Sequence, residues 1–259
     1  MNKTLLLNRF LEMEREYVRL FSEVTEGEGA ISYADAKLPE MYCHNFTLYH
    51  SEQGLVDWIC NELSKAKTKT RGFLQVETPY FISNELIDCL PFKPQITRFD
   101  LMYIETKRFG ERKGNPATII RSAEDRSVLE DGIKVDIAAN EQGMGLDFAK
   151  RRIGRKTDIY NDVNKQMNLF VCYLNEKPIG NIEYMTSKGI VKLEDFDILN
   201  EYQRQGYGTA VLQYLLRKAF HENIELAYLV ADSEDTAKDM YKKNGFIKIG
   251  EKTQLLFLL

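Results

Sequence analysis

Gln203-Arg204-Gln205-Gly206-Tyr207-Gly208 decides how this chain is read. A strand-like run, 190–199, precedes it. A helical pattern follows, with Val211, Leu212, Leu215, Leu216, Ala219 and Phe220 on one face. The two glycines therefore fall where a strand turns into a helix. A helix N-terminus leaves its first N–H groups unpaired and carries partial positive charge. Glycines there let a phosphate approach those groups closely. Taken alone, a G-x-G turn reads more readily as a plain strand-to-helix connection than as an anion cradle.

The segment that follows narrows the choice. An apolar strand at 224–231 precedes Ala237, Tyr241, Gly245 and Phe246, spaced A-x-x-x-Y-x-x-x-G-F. Ala237 and Tyr241 are one helical turn apart and share a face. Asn244-Gly245 is a helix-stop signal, and Phe246 is a hydrophobic plug just past it.

With Gln203, Gly206 and Gly208 in the three fixed places of [Q/R]-x-x-G-x-[G/A], the loop resembles the pyrophosphate loop of the GNAT superfamily of acyl-CoA N-acyltransferases. The A-x-x-x-Y-x-x-x-G-F segment resembles its second signature at the right distance. The resemblance covers residues of about 115–259. It implies an α/β (α+β) fold with a mixed, mainly antiparallel sheet flanked by helices. It implies acetyl-CoA as acyl donor, held through Gln203, Arg204, Gln205, Gly206, Tyr207, Gly208 and Thr209. The edge of the strand at Phe196 and Ile198 pairs with the pantetheine arm, and Ala237 and Tyr241 also face the cofactor. By the same resemblance, a primary amine would attack the thioester directly, a strand N–H would polarise the carbonyl, and Tyr241 would protonate the leaving thiolate. A hydrogen-bonded core tyrosine is the plainer role for Tyr241.

Two departures from the pattern stand out. Glu234 occupies a place where many relatives carry asparagine. The general base is open: Lys192 stands where some relatives have a glutamate, so Glu194, two residues on, is the candidate, with Glu183 as another. A solvated edge carboxylate is the plainer reading of Glu194. Strict alternation puts Asp195 and Asp197 on the opposite strand face. The acids Glu194, Asp195, Asp197 and Glu201 favour a cationic amine.

The rest of the chain bounds these expectations. Its 259 residues are 44% hydrophobic and 29% charged, with formal net charge −4, as in an ordinary globular protein. That charge argues against nucleic acid or an anionic membrane as main partner. The cysteines Cys43, Cys60, Cys89 and Cys172 form no C-x-x-C pair, and with three histidines no metal-site spacing appears, so no metal is expected. Reduced thiols and the lack of a signal-peptide pattern point to a cytoplasmic protein. No apolar run is long enough to span a membrane.

Residues 3–24 read as an amphipathic helix, and 25–40, with Gly27, Gly29 and Pro39, as loop. Residues 40–106 repeat the helix-strand-helix-strand order of 207–257. This is either a degenerate copy without cofactor or a chance recurrence of common αβ units. The charged, glycine-bearing stretch 107–116 marks a boundary between domains 1–110 and 115–259. In 123–166, Ser122 reads as an N-cap with Asp125 in the capping-box position, and glycines 132, 143, 145 and 154 as breaks. Lys150, Arg151, Arg152, Arg155 and Lys156 read as a solvated helix face, with contact to a phosphate of a ligand or partner as the alternative. Strands at 169–174, 178–185 and 190–199 form an antiparallel meander.

The expected function is an N-acetyltransferase acting on a small-molecule or peptide amine, with a homo-oligomer left open. A non-catalytic acyl-CoA-binding or regulatory module is the alternative.

Overall fold

The computed structural model describes all residues except Met1, Glu52, 67–71 and 163–165. The fold is mixed α/β, with helices flanking strands that pair mostly antiparallel. In chain order the elements are α1 (Lys3–Arg19), β1 (Glu23–Gly27), β2 (Ala30–Ala34), β3 (Thr47–Tyr49), α2 (Leu55–Ala66), β4 (Phe73–Thr78), α3 (Asn84–Asp88), β5 (Gln95–Glu105), β6 (Ile119–Ser122), α4 (Arg126–Met144), α5 (Leu146–Tyr160), β7 (Met167–Leu174), β8 (Lys177–Ser187), β9 (Ile190–Ile198), α6 (Tyr207–His221), β10 (Leu226–Asp232), α7 (Ala237–Lys243) and β11 (Ile247–Leu258).

The chain forms two compact units. The first holds Met1–Leu101, Ala231–Asp235 and Ile249–Leu259; the second holds Met102–Val230 and Thr236–Lys248.

In the first unit, β1 and β2 make a hairpin where the glycines of 25–40 suggested loop. Gly27 pairs with Ala30 across a two-residue turn, and Gly29 takes φ +69°, a conformation glycine adopts without strain. Val24, Ile31 and Tyr33 alternate onto one side, which is the strand signal beneath those glycines. Strand β3 runs antiparallel to β2 and parallel to β4, the latter over Thr47↔Val76 and Leu48↔Glu77. Helix α2 joins that parallel pair and buries Leu55, Ile59 and Leu63 against it. The C-terminal strand β11 pairs antiparallel with β4, from Thr253↔Thr78 to Leu258↔Phe73. The apolar tail is thus a strand, with Leu255 and Phe257 buried.

The second unit carries the antiparallel run β6-β7-β8-β9, with β10 parallel to β9. Both hairpins turn through two residues at positive φ, Asn175-Glu176 and Lys188-Gly189, the turn type whose twist matches the strands. Ser122 ends β6 rather than capping a helix, and α4 starts after Asp125 with no side-chain cap bond. Glycines 132, 143 and 154 lie inside helices, and Gly145, at φ +83°, alone separates α4 from α5. Alternation along β8 divides the unit's two faces. Asn181 and Glu183 reach Gly132 of α4 and Lys156 of α5, whereas Tyr184 reaches Glu222 beyond α6. Helix α6 buries Val211, Leu212, Leu215, Leu216 and Ala219 on that other face.

Candidate functional site

Strands β9 and β10 are hydrogen-bonded neighbours only at Leu226↔Ile190, Ala227↔Val191 and Tyr228↔Lys192. Beyond that rung β9 continues for six residues, and its side chains change from buried to half-buried at Glu194. The two parallel strands therefore diverge, leaving the Phe196–Ile198 stretch of β9 with a backbone edge on that side. An open edge of this kind pairs with an extended ligand as an added strand would.

The loop after β9 is tied down by its own polar groups. Gln203 Nε2 donates to Ile198 O (2.9 Å) and Asn200 Oδ1 (3.1 Å), and Gln205 Nε2 donates to Glu201 O (2.8 Å). Arg204, at φ +60°, donates to Thr236 Oγ1 at 3.2 Å. Gly206 is the N-cap of α6 at φ +86°, and no side chain caps the helix. The N–H groups of the first turn, at Tyr207, Gly208 and Thr209, have no intrahelical acceptor and point out of the helix start. The carbonyl of Gly206 also receives Asn115 N–H at 3.1 Å, and Asn115 Nδ2 donates to Gln205 O at 3.0 Å, which fixes the turn from outside. A Cβ on Gly208 would meet Met240 Sδ at 2.7 Å, so only glycine leaves this wall of the cleft as it stands. These features fit an anionic ligand at the α6 N-terminus.

Tyr241 lies on α7, 8% exposed, with its ring edge-on to Phe246 at 6.0 Å. Ala237 begins the same helix. Gln213 and Thr209 of α6 both contact the Asn244 side chain at the end of α7, at 3.2 and 3.3 Å.

The acids depart from strict alternation. Asp195 sits at φ +51°, and the β8–β9 register slips there: Glu183 faces Glu194, but Asn181 faces Asp197. This is a bulge, and it re-aims the strand. Glu183 and Asn181 share one face, so Glu194 and Asp197 share it too, where alternation had separated them. Asp195 itself also reaches the α4–α5 side.

There it meets the basic cluster, which corrects the solvated-face expectation. Arg152 and Lys156 are 5% and 2% exposed. Arg152 pairs with Asp136 (2.8 Å) and with Asp195. Lys156 pairs with Glu183 and Asp195, each at 2.7 Å. Tyr160 donates to Glu183. Ala149, Arg152, Ile153 and Lys156 are the buried positions of α5, so the apolar pair was the signal that this stripe faces inward. Lys150 and Arg151 are exposed as expected. Glu194 is ion-paired with the buried Lys192, whose ammonium lies 5.3 Å from the Tyr228 ring centre.

Burial sets the protonation of this network, with its partners correcting it. Burial raises Asp136 to about 6 against the pull of Arg152. Burial, then repulsion from Asp195 and Asp136, raises Asp197 to about 7. Burial would also raise Asp195, but Arg152 and Lys156 hold it well below the ordinary carboxylate value. A cleft of about 530 Å³ lined by Thr186, Lys188, Lys218 and Glu222 lies near the β8–β9 turn, at the other end of β9 from the glycine loop.

A mixed sheet with a splayed parallel pair, an uncapped glycine helix start between its strands, and a tyrosine on the next helix defines a class of fold. Residues 135–255 match the family model described as "Acetyltransferase (GNAT) domain". The chain is 26% identical over 252 residues to the uncharacterized N-acetyltransferase CgeE of Bacillus subtilis (strain 168), covering 94% of this chain and 95% of that one. Among solved structures it resembles a functionally unknown conserved protein from Staphylococcus epidermidis ATCC 12228, with TM-score 0.76 and 26% identity over 92% of this chain and 94% of that one. It shares its fold with a GCN5-related N-acetyltransferase from Kribbella flavida, with TM-score 0.69 and 13% identity over 95% and 93% of the two chains. Among the described residues no helix is long and apolar enough to cross a membrane.

Proposed function

We propose that this protein is an acyl-CoA-dependent N-acetyltransferase that moves an acetyl group from acetyl-CoA to a primary amine. The observation that carries this reading is the uncapped α6 N-terminus, with Gly206 at φ +86° and Gly208 against Met240, placed beside the divergence of β9 from β10. Backbone N–H groups of Gln205 to Thr209 would hold the pyrophosphate, with Gln203 and Arg204 shaping the loop. The Phe196–Ile198 edge would hold the pantetheine arm, and Ala237 would line its path. Bound there, acetyl-CoA supplies an acyl thioester open to attack by an amine. Tyr241 holds a proton for the departing sulfur. Glu194, ion-paired with Lys192, is a candidate base.

The domain division at 1–110 and 115–259, the reading of 40–106 as a degenerate copy without cofactor, a cytoplasmic location, and an acceptor that is a small molecule or peptide rather than nucleic acid or membrane belong to the same proposal. A non-catalytic acyl-CoA-binding module is a second reading. It is favoured by Glu234 standing in the place of the family's asparagine.

Thermal unfolding with and without acetyl-CoA tests the donor site. Ligand at about 100 times its Kd adds about 2.7 kcal/mol to native stability. No shift at saturating acetyl-CoA would sink the reading. Release of free thiol with a panel of primary amines, abolished in Tyr241→Phe, separates the enzyme from the binding module; binding without turnover favours the module.

A further inference from the structure

Among the described residues, the β9 bulge gathers more carboxylates than cations. Asp136, Glu183, Glu194, Asp195 and Asp197 leave toward the α4–α5 side, as do Arg152, Lys156 and Lys192. Arg152 serves Asp136 and Asp195, Lys156 serves Glu183 and Asp195, and Lys192 serves Glu194. Among the described residues Asp197 has one hydrogen-bond donor, the Asn140 amide at 3.2 Å, and Arg152 acts on it only at longer range. Among the described residues, five ionised carboxylates would face three cations. A buried charge without a partner is costly, so the surplus is met by protons or by a cation from outside.

A second feature points to the cation. Asn181 is 2% exposed and stands opposite Asp197 in the register, so both side chains leave the same face. Its amide nitrogen donates to Gly132 O on α4 at 3.3 Å. Its Oδ1 is buried and has no hydrogen-bond partner among the described residues. Gly132, Asp136 and Asn140 follow one another at four-residue spacing, so the stripe of α4 that faces Asn181 is the one that faces Asp197. A buried acceptor left unsatisfied costs about 1–3 kcal/mol. An ammonium brings three donors and one positive charge, which suits an unpartnered amide oxygen on the residue opposite a carboxylate whose described hydrogen-bond donor is a neutral amide.

We propose that Asn181 and Asp197 form the acceptor subsite, which takes a primary ammonium and passes one of its protons to Asp197. The step balances within itself: an N–H bond of the ammonium breaks, an O–H bond forms on Asp197, and the nitrogen keeps the electron pair as a neutral amine. The inference rests on the acetyltransferase reading but gives the base's role to Asp197 in place of Glu194, and Phe196 and Ile198 of the donor edge flank Asp197 in the chain. It names the substrate class as a primary amine without an adjacent carboxylate, because a second anion would meet the acid surplus. Arg152 and Lys156 are positioning residues: they keep Asp195 ionised, and Asp195 with Asp136 holds Asp197 ready to accept a proton.

The test uses the full chain, with 13C-labelled aspartate carboxyls followed by NMR against pH, the Asp197 signal being the one missing in Asp197→Asn. The expected midpoint lies near 7. It is expected to fall by about one pH unit or more in propylammonium chloride, relative to potassium chloride at equal ionic strength. Asn181→Leu is expected to keep the fold and the acetyl-CoA stabilisation while shrinking the propylammonium effect. A midpoint in the ordinary carboxylate range without amine, equal midpoints in the two salts, or a full propylammonium response in Asn181→Leu would each overturn the subsite. The acetyl-CoA melting shift is read separately, so failure of the donor site and failure of the ammonium subsite give different results.

Discussion

Two β-α-β segments of this chain use one backbone device to different ends. In β3-α2-β4 and in β9-α6-β10 a helix joins two parallel strands and starts just after a left-handed glycine, Gly54 at φ +77° and Gly206 at φ +86°. What differs is what fills the turn. Before α2, the Tyr49 and Tyr80 hydroxyls donate to Gln53 O and Ser51 O, and Ser51 and Gln53 bond each other. Two residues past Gly54 stands Val56, where the second segment has Gly208. Strand β3 is three residues long, so it has no edge to spare. Before α6 the helix start has no side-chain cap, and β9 runs on past its partner. A glycine turn thus marks the connection in both segments, while the occupants of the turn and the length of the first strand differ between them.

Several variants would break or sharpen this contrast. The largest effect belongs to the buried charges of the second unit. Arg152→Ala leaves Asp136 and Asp195 without their guanidinium, and we expect a loss of about 3–5 kcal/mol by chemical denaturation. A loss under about 0.5 kcal/mol would restore the solvated-face reading of α5. Next, Gly208→Trp should remove the acetyl-CoA melting shift, worth about 2.7 kcal/mol at about 100 times Kd, while Val56→Trp leaves the shift in place. If both variants respond alike, the two turns are not functionally distinct. Gly206→Ala and Gly54→Ala each force a side chain into left-handed backbone, at about 1–2 kcal/mol. Only the former should also weaken acetyl-CoA stabilisation. Tyr49→Phe removes the hydroxyl contact to Gln53 and should cost about 1 kcal/mol with no change in the acetyl-CoA shift.

The pH dependence sharpens the same contrast. Asp136 and Asp197 hold protons more tightly folded than unfolded, so the native state binds more protons from about pH 4 to about 7. Their contribution to stability is present at low pH and is lost as pH rises through that window. Asp195, held low by its cations, acts in the opposite sense, contributing above its unfolded value. Asp197→Asn should flatten the decline, so that the variant gains on the parent most at pH 8. An unchanged slope in equilibrium unfolding across pH 4–8 would contradict the burial of Asp197.

The strand-to-helix turn at 203–208 was legible because its constraint is local: the left-handed backbone at Gly206 suits glycine, and glycine is visible in sequence. The hairpin at 23–34 was hidden by the same residue, since Gly27 and Gly29 read as loop when they are the turn between two alternating strands. The bulge at Asp195 carried no glycine, because aspartate tolerates left-handed backbone well enough to leave no mark. Once the bulge was missed, the assignment of acids to faces failed with it. Arg152 and Lys156 were read by their charge, whereas Ala149 and Ile153 between them reported the inward face. Asn181 had no sequence signal, since its interest comes from an unmet hydrogen bond that only packing creates.

The pairing of β11 with β4 has a consequence for how the protein comes into being. Residues 73–78 emerge early in synthesis and find their antiparallel neighbour only in residues 253–258. The ribosome adds about 5–20 residues per second, so β4 waits many seconds with an unpaired edge. The first unit to be translated is therefore among the last to close, and a ribosome stalled late in the message would hold a nascent chain with that edge open to stray strands.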